Sequence, residues 1–577
     1  MEAEITEKIP VCCWEIIFDK LSHAADLDAI SLVCKEFLSV TNSIRYSLAV
    51  FSPSIHVLVR LLQRFRHLKK IQLVNFQGDL NKAILEIARS GLNLEELDLS
   101  CNTNLPDVCL EKLGSCMKNL KILCCSHSSL TDADLVRISN LFPQLDELDI
   151  SKSSFPRIID GKITAVTDDG VEFLSSKLKK LRRIDLSGNR CISDKSLVSL
   201  SSNCPLLQKI AVGYCMSVTE YGISYLLHNN RHLTSLVLRA HFKIDSFGVR
   251  DSVDPPQYLQ SLKLSNVNIS DEFLHSVAEA HIPLTDLALL FCNGYTFTGI
   301  SSLLHSYRSL KSLALLGVEF LTNEHIGYLS PFLLNLSSIQ LHSCSLLSDS
   351  AFVTLSERCP LLSRLEMGCS CLGIEEWKDD SPVTNFTIRS LNLSFNSYLG
   401  SSGLRRVLNI YPNLEELKLS ACFRGTEQLN IADILDCSSS VKSLELNRCN
   451  NLTFSGEKAK ISKLERIVAI WSGINDDVLT MIGKTSPGLL HLDLKDCENI
   501  TEEGVKEVVK RCTRLRYLNL SGCFNVNVDV VEHIVNNRPS IRRLVSPSHV
   551  YPEEVDQGKL LQQGCLVTRG VPYDDLI

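Results

Sequence analysis

The sequence predicts an α/β chain: a small N-terminal all-helical unit followed by a right-handed solenoid of stacked strand–helix units, a horseshoe with a parallel concave sheet and convex helices. Three observations carry this reading. A pattern of alternating leucines returns about every 26 residues over most of the chain. Between its copies lie apolar residues at helical spacing. Residues 9–50 carry helical stripes of their own and fall outside the period.

The helical unit, assigned residues 1–50, comes first. Pro10 stands just before a helix, where its fixed φ and missing N–H are tolerated. Ile17 and Leu21 form an i, i+4 pair on that helix, and Leu27, Ile30, Val33, Cys34 and Phe37 line one face of the next. A unit this small buries little core, so it is expected to lean on a partner or on the adjoining solenoid. Residues 51–67 read as a helical linker.

The repeats are assigned residues 68–546, about nineteen units. Clear copies of the pattern are LEELDL from Leu94, LDELDI from Leu145, LRRIDL from Leu181, LQSLKL from Leu259 and LKSLAL from Leu310. It continues as IRSLNL from Ile388, LEELKL from Leu414, VKSLEL from Val441, LLHLDL from Leu489 and LRYLNL from Leu515. Leu97 and Leu99 point to one face of a short strand, Glu96 and Asp98 to the other. In TEEGVKEVVKRC, Val505, Val508, Val509 and Cys512 share a helical face, with Thr501 as cap and Glu502 and Glu503 in the first turn. Such short elements bury their apolar faces only by stacking. Strands lie about 4.8 Å apart and helices are about 10 Å wide, so the stack is expected to curve with the sheet inside. The tail, residues 547–577, lacks the repeat and reads as a cap for the last unit.

The composition, 45% hydrophobic and 22% charged with a net charge of −7, is globular and disfavours nucleic acid or an anionic membrane as partner. The acidic start MEAEITEKIP lacks the features of a secretory signal and no long uncharged apolar run is present, so a soluble intracellular chain, cytoplasmic or nuclear, is expected. The 23 cysteines then read as reduced and mostly buried. Cys215, Cys292, Cys344, Cys422, Cys449, Cys497 and Cys523 share the ninth position of their units, which implies a packing role. No phosphate-binding loop, H-E-x-x-H or G-x-S-x-G motif occurs, and the cysteine spacings do not suit zinc. No enzyme activity, cofactor or metal is expected.

With CENITE from Cys497 and CMSVTE from Cys215, the repeats resemble the cysteine-containing class of leucine-rich repeats. The start resembles an F-box, whose ordered pattern appears as Ile9-Pro10, Ile17-Phe18, Leu21, Asp26-Leu27 and Val33-Cys34-Lys35 with Phe37. The aromatic is Phe37 rather than the commoner Trp, and Cys12-Cys13-Trp14 replaces the usual acidic opening. This resemblance implies docking on a Skp-type adaptor, and through it a cullin, in an SCF ubiquitin ligase. Pro10, Ile17, Leu21, Leu27, Cys34 and Phe37 would make the contact. The chain would be a non-catalytic receptor for ubiquitination and proteasomal degradation.

The protein substrate is expected on the concave face. That face is charged toward both ends and apolar in the middle, and Tyr214, Phe291, Phe395 and Trp471 occupy the next position along, at the rim beyond the strand. Aromatics and arginine are favoured anchors, so Tyr214, Arg239, Phe291, Leu316 and Phe395 are the candidate substrate contacts. The plainer alternative is that the aromatics cap the core edge. The stretches around Phe155, His241 and Leu372 depart from the unit as candidate recognition loops. Two other readings are a small-molecule hormone co-receptor of the same general type and a ligase-independent scaffold.

Overall fold

The computed structural model describes residues 10–21, 27, 30–31, 33–50, 54–102, 105, 107–152, 157–159, 162–239, 243–244, 256–374, 384–422, 428–454, 461–527, 529–547 and 565–569. The chain forms two units, Met1–Pro283 and Leu284–Ile577.

The first unit opens with α1 (Val11–Asp19) and α2 (Lys35–Ser43). Phe18, Val40 and Ile44 are buried between them, with Trp14, Leu21, Leu27, Ile30 and Phe37 packed around that centre. Cys34 caps α2, its Sγ accepting the Phe37 N–H at 3.4 Å.

The sheet starts inside the segment assigned to the helical unit. Ser47–Ala49 pairs in parallel with Lys70–Gln72, with Leu48 and Val50 buried. Two alternating apolar residues are enough to begin a strand there, too few to register as a repeat. Parallel pairing then runs through Glu96–Asp98, Ile122–Cys124, Glu147–Asp149, Arg183–Asp185, Lys209–Gly213, Ser235–Arg239 and Ser261–Ser265. The departure near Phe155 includes an antiparallel pair, Arg157–Ile159 with Lys162–Thr164. Most of the stretch 241–257 lies outside the described residues, as do Asp26, residues 375–383 and most of the tail after 547.

In the second unit the parallel strands are Asp286–Leu290, Ser312–Leu316, Ser338–Gln340, Arg364–Glu366, Ser390–Asn392, Glu416–Lys418 and Ser443–Glu445. Arg466–Val468, His491–Asp493, Tyr517–Asn519, Arg543–Ser546 and Leu566–Arg569 continue the order. Each unit is therefore an open solenoid with a parallel sheet and flanking helices.

The repeat chemistry explains the stacking. Leu97 and Leu99 are fully buried, as are Val505, Val508, Val509 and Cys512 on their helix. Thr501 accepts the Glu503 N–H, and Thr131 forms a capping box with Asp134. Neighbouring repeats are also bonded to each other. At the ninth position Cys215 Sγ donates to the Leu186 carbonyl (3.5 Å), Cys422 to Leu393 (3.1 Å) and Cys523 to Leu494 (3.1 Å). Where that position is asparagine, Asn189 and Asn396 donate to Ile150 and Met367 (2.9 and 2.7 Å). A thiol and a carboxamide thus satisfy the same kind of buried carbonyl.

A second bond fastens the helix starts. The Asp476 carboxylate accepts both the N–H and the hydroxyl of Thr501, one repeat on (2.9 and 2.6 Å). Asp194 does the same for Thr219, and Asp132 for Thr167. Each carboxylate occupies the space a Cβ would need at Gly504, Gly222 or Gly170. Glycine is needed there for the close approach.

Candidate functional site

The N-terminal helices divide the residues expected to touch an adaptor into two groups. Pro10, Ile17 and Cys34 are exposed, Ile17 by 49%. Leu21, Leu27 and Phe37 are half-buried against the Phe18 core and hold the helices together from within. The inward residue of α1 is Phe18, at 3% exposure, rather than its neighbour Ile17. Two apolar residues outside the expected set are also exposed, Val33 at 67% and Ile16 at 64%, the latter lining a cleft with Tyr46, His67 and Lys69.

The expected substrate contacts follow from backbone geometry. Tyr214, Phe291, Phe395 and Trp471 all adopt left-handed backbone, with φ of 55°, 52°, 64° and 56°. The position requires it: the chain turns out of the strand while its N–H still reaches the next strand. Tyr214 N–H donates to the Arg239 carbonyl (2.7 Å), Phe291 to Leu316 (2.8 Å) and Phe395 to Ser420 (2.7 Å). Glycine takes this place at Gly188, Gly317 and Gly522. A residue with a Cβ costs about 1–2 kcal/mol in that conformation. The four aromatics carry this cost while staying 40%, 53%, 44% and 47% exposed in the order given, so core burial does not offset it. The same left-handed turn is made by Asn75, Ser343 and Arg448, so the strain belongs to the repeat, and what sets the four aromatics apart is their exposure.

Two expected pairs are thereby brought together, Tyr214 with Arg239 in the first unit and Phe291 with Leu316 in the second. Arg239 is exposed and Leu316 half-buried. The Phe291 ring covers Gly317, whose missing Cβ makes room for it. Phe395 follows four strands after Phe291, about 19 Å along the sheet.

Between them lies a polar network that the spacing of leucines gave no hint of. His342 Nε2 is 2.9 Å from Glu366 Oε2, and Gln340 and Asn392 also donate to that carboxylate (3.3 and 3.5 Å). The His342 bond, with its charge, holds the Glu366 carboxyl below the usual carboxylate range against the opposing effect of burial.

Part of the sheet face of the first unit, from Glu96 to Asp185, is acidic. Glu96, Cys124, Glu147, Asp149, Arg183 and Asp185 line a cavity of about 300 Å3. Burial, reinforced by Asp98 and Asp149, pushes the Cys124 thiol up to about 12, so it is not a nucleophile. Cys215 is likewise pushed up to about 12, by burial. Among the described residues no group of His, Cys, Asp or Glu is arranged to hold a metal ion, and no helix is long and apolar enough to cross a membrane.

Comparisons with known proteins agree with the repeat architecture. A family model described as "Leucine Rich repeat" matches residues 177–201, 384–407 and 485–509. The chain is 32% identical over 142 residues to F-box protein SKIP19 of Arabidopsis thaliana, covering 24% of this chain and 38% of that one. It is 31% identical over 137 residues to F-box/LRR-repeat protein 4 of Bos taurus, covering 24% and 21%. The match thus spans well under two thirds of either relative's length. Among solved structures, a TLR13–ssRNA13 complex aligns with a TM-score of 0.44 and 16% identity, over 88% of this chain and 75% of that one.

Proposed function

We propose that this chain, an F-box/leucine-rich-repeat protein by its repeats and its relatives, is the substrate-recognition subunit of an SCF-type ubiquitin ligase. The helical unit docks on a Skp-type adaptor that joins it to a cullin, through the exposed Pro10, Ile17, Val33 and Cys34. Leu21, Leu27 and Phe37 shape that surface from beneath. Residues of the repeats, Tyr214 and Arg239 in the first unit and Phe291, Leu316 and Phe395 in the second, hold a protein substrate. The chain itself makes and breaks no bonds; it raises the local concentration of substrate near a charged conjugating enzyme.

The observation that supports this reading best is the exposure of large aromatics, Tyr214, Phe291 and Phe395, at one recurring backbone position of the repeat. The test is co-purification with mass spectrometry, using the intact chain and a variant carrying Tyr214→Ala, Phe291→Ala and Phe395→Ala. The expected result is a protein held by the intact chain and lost from the variant, while the adaptor stays on both. Retention of every captured protein by the variant contradicts the substrate assignment.

A further inference from the structure

The last strands of the second unit carry a row that the proposed receptor site does not use. Arg466, His491, Tyr517 and Arg543 are register partners on four successive strands. The His491 and Tyr517 rings stack with centroids 4.2 Å apart and 5° between planes. The Arg543 guanidinium carbon lies 5.8 Å from the Tyr517 ring centroid. The order across the sheet is cation, ring, ring, cation, over about 14 Å.

Charge sharpens the picture. Burial, together with Arg466, holds His491 down to about 4, so it is a neutral ring at physiological pH. The parallel row two residues on reads Val468, Asp493, Asn519, Val545, with one carboxylate, and burial raises the pKa of that carboxyl. Arg516 and Arg542 stand one residue ahead of Tyr517 and Arg543. Glu465 stands one residue ahead of Arg466, but the row itself carries two cations and no carboxylate in a chain of net charge −7.

We infer that this row is a docking surface for an acidic peptide segment of a partner protein. Guanidinium groups bind carboxylates in a bidentate fork, and stacked rings accept the aliphatic stems between them. An extended peptide advances about 3.3 Å per residue, so acidic side chains about four residues apart meet Arg466 and Arg543 together. The surface is separate from Tyr214, Phe291 and Phe395 and holds whether or not the chain serves a ligase.

The probe is a fluorescein-labelled peptide of about twelve residues with glutamates four apart, read by anisotropy against the full chain. A lysine-for-glutamate copy and a single-stranded RNA of similar length are the comparators. The expected result is saturable binding of the glutamate peptide alone, weakened at least about tenfold by Arg466→Glu with Arg543→Glu. Tyr517→Leu is expected to weaken it several-fold. Should the glutamate variants melt early, Arg466→Gln with Arg543→Gln replaces them and is expected to weaken binding in the same direction. Equal affinity for both peptides, tighter binding of the RNA, or binding untouched by the folded glutamine variant overturns the inference.

Discussion

The Trp14 ring centroid lies 4.7 Å from that of Phe37 at 60° between planes, and Phe18 meets Phe37 at 5.1 Å and 82°. The three rings form the closure between α1 and α2. Trp14, from the triplet that replaces the usual acidic opening, therefore packs against Phe37, the indole standing on α1 and the phenyl ring on α2. Phe37→Ala is expected to remove about 2 kcal/mol from this half-buried closure, less than for a fully buried phenylalanine. Hydrogen exchange checks it: the amides of α1 and α2 should exchange faster while those of the His491 and Tyr517 strands keep their protection. Uniform loss of protection across both regions would show that the closure is not local.

Glycine at the strained aromatic positions separates stability from recognition. Phe291→Gly and Phe395→Gly relieve about 1–2 kcal/mol of left-handed strain, partly offset by the greater freedom of glycine in the unfolded chain. The variants should melt at or above the temperature of the intact chain and still lose the captured substrate. A clear drop in melting temperature would instead place these rings in the core.

The Asp476 and Thr501 clamp depends on the empty space at Gly504. Gly504→Ala is expected to displace the carboxylate and cost about 1–2 kcal/mol, the loss of hydrogen bonds to a part-buried charged group. Asp476→Ala should cost a similar amount, and the double variant little more than either, because both changes break one interaction. Full additivity in urea denaturation would contradict the clamp.

At the ninth position, Cys422→Asn should be tolerated within about 0.5 kcal/mol, whereas Cys422→Ala removes one of two donors to the Leu393 carbonyl, which keeps Asn396 Nδ2 at 2.8 Å, and should cost about 0.5–1.5 kcal/mol. Melting temperatures decide between them. In the native chain a thiol reagent should label the exposed Cys12, Cys34, Cys101, Cys116 and Cys369 before the buried Cys215, Cys422 and Cys449.

His491 gives the stability a pH dependence of definite sign. The folded chain keeps it neutral down to about pH 4, whereas the unfolded chain takes up that proton near pH 6.5. Between these values the unfolded state binds more protons, so this contribution is present above pH 6.5 and is lost as the pH falls toward 4. The difference in urea midpoint between the intact chain and His491→Gln should therefore change across that window and be flat above it. A difference constant with pH would contradict the buried, neutral ring.

Much of this architecture was legible because repetition amplifies weak signals. One leucine pair such as Leu97 and Leu99 says little, but the same pair returning at a fixed interval identifies strand, face and stacking together. The threonine and serine starts at Thr131, Ser193 and Thr501 were readable for the same reason. What escaped was whatever occurs once or depends on side-chain direction. The strand at Ser47–Ala49 is too short to form a pattern, and helical spacing alone does not say whether Ile17 or Phe18 turns inward. The His342 and Glu366 network joins residues of neighbouring repeats whose pairing appears only when the strands are in register. The left-handed backbone beneath Tyr214 and Phe291 has no sequence signal of its own, since Asn75, Ser343 and Arg448 occupy the same place.

The most direct measurement is binding of a purified Skp-type adaptor to the full chain by calorimetry, beside a variant carrying Ile17→Asp and Val33→Asp. Both positions are exposed, so the variant should keep the intact melting temperature. Stoichiometric binding to the intact chain and its loss from the folded variant is the expected outcome. An adaptor that ignores the intact chain, or binds both equally, would contradict the assignment of the N-terminal helices as the docking unit.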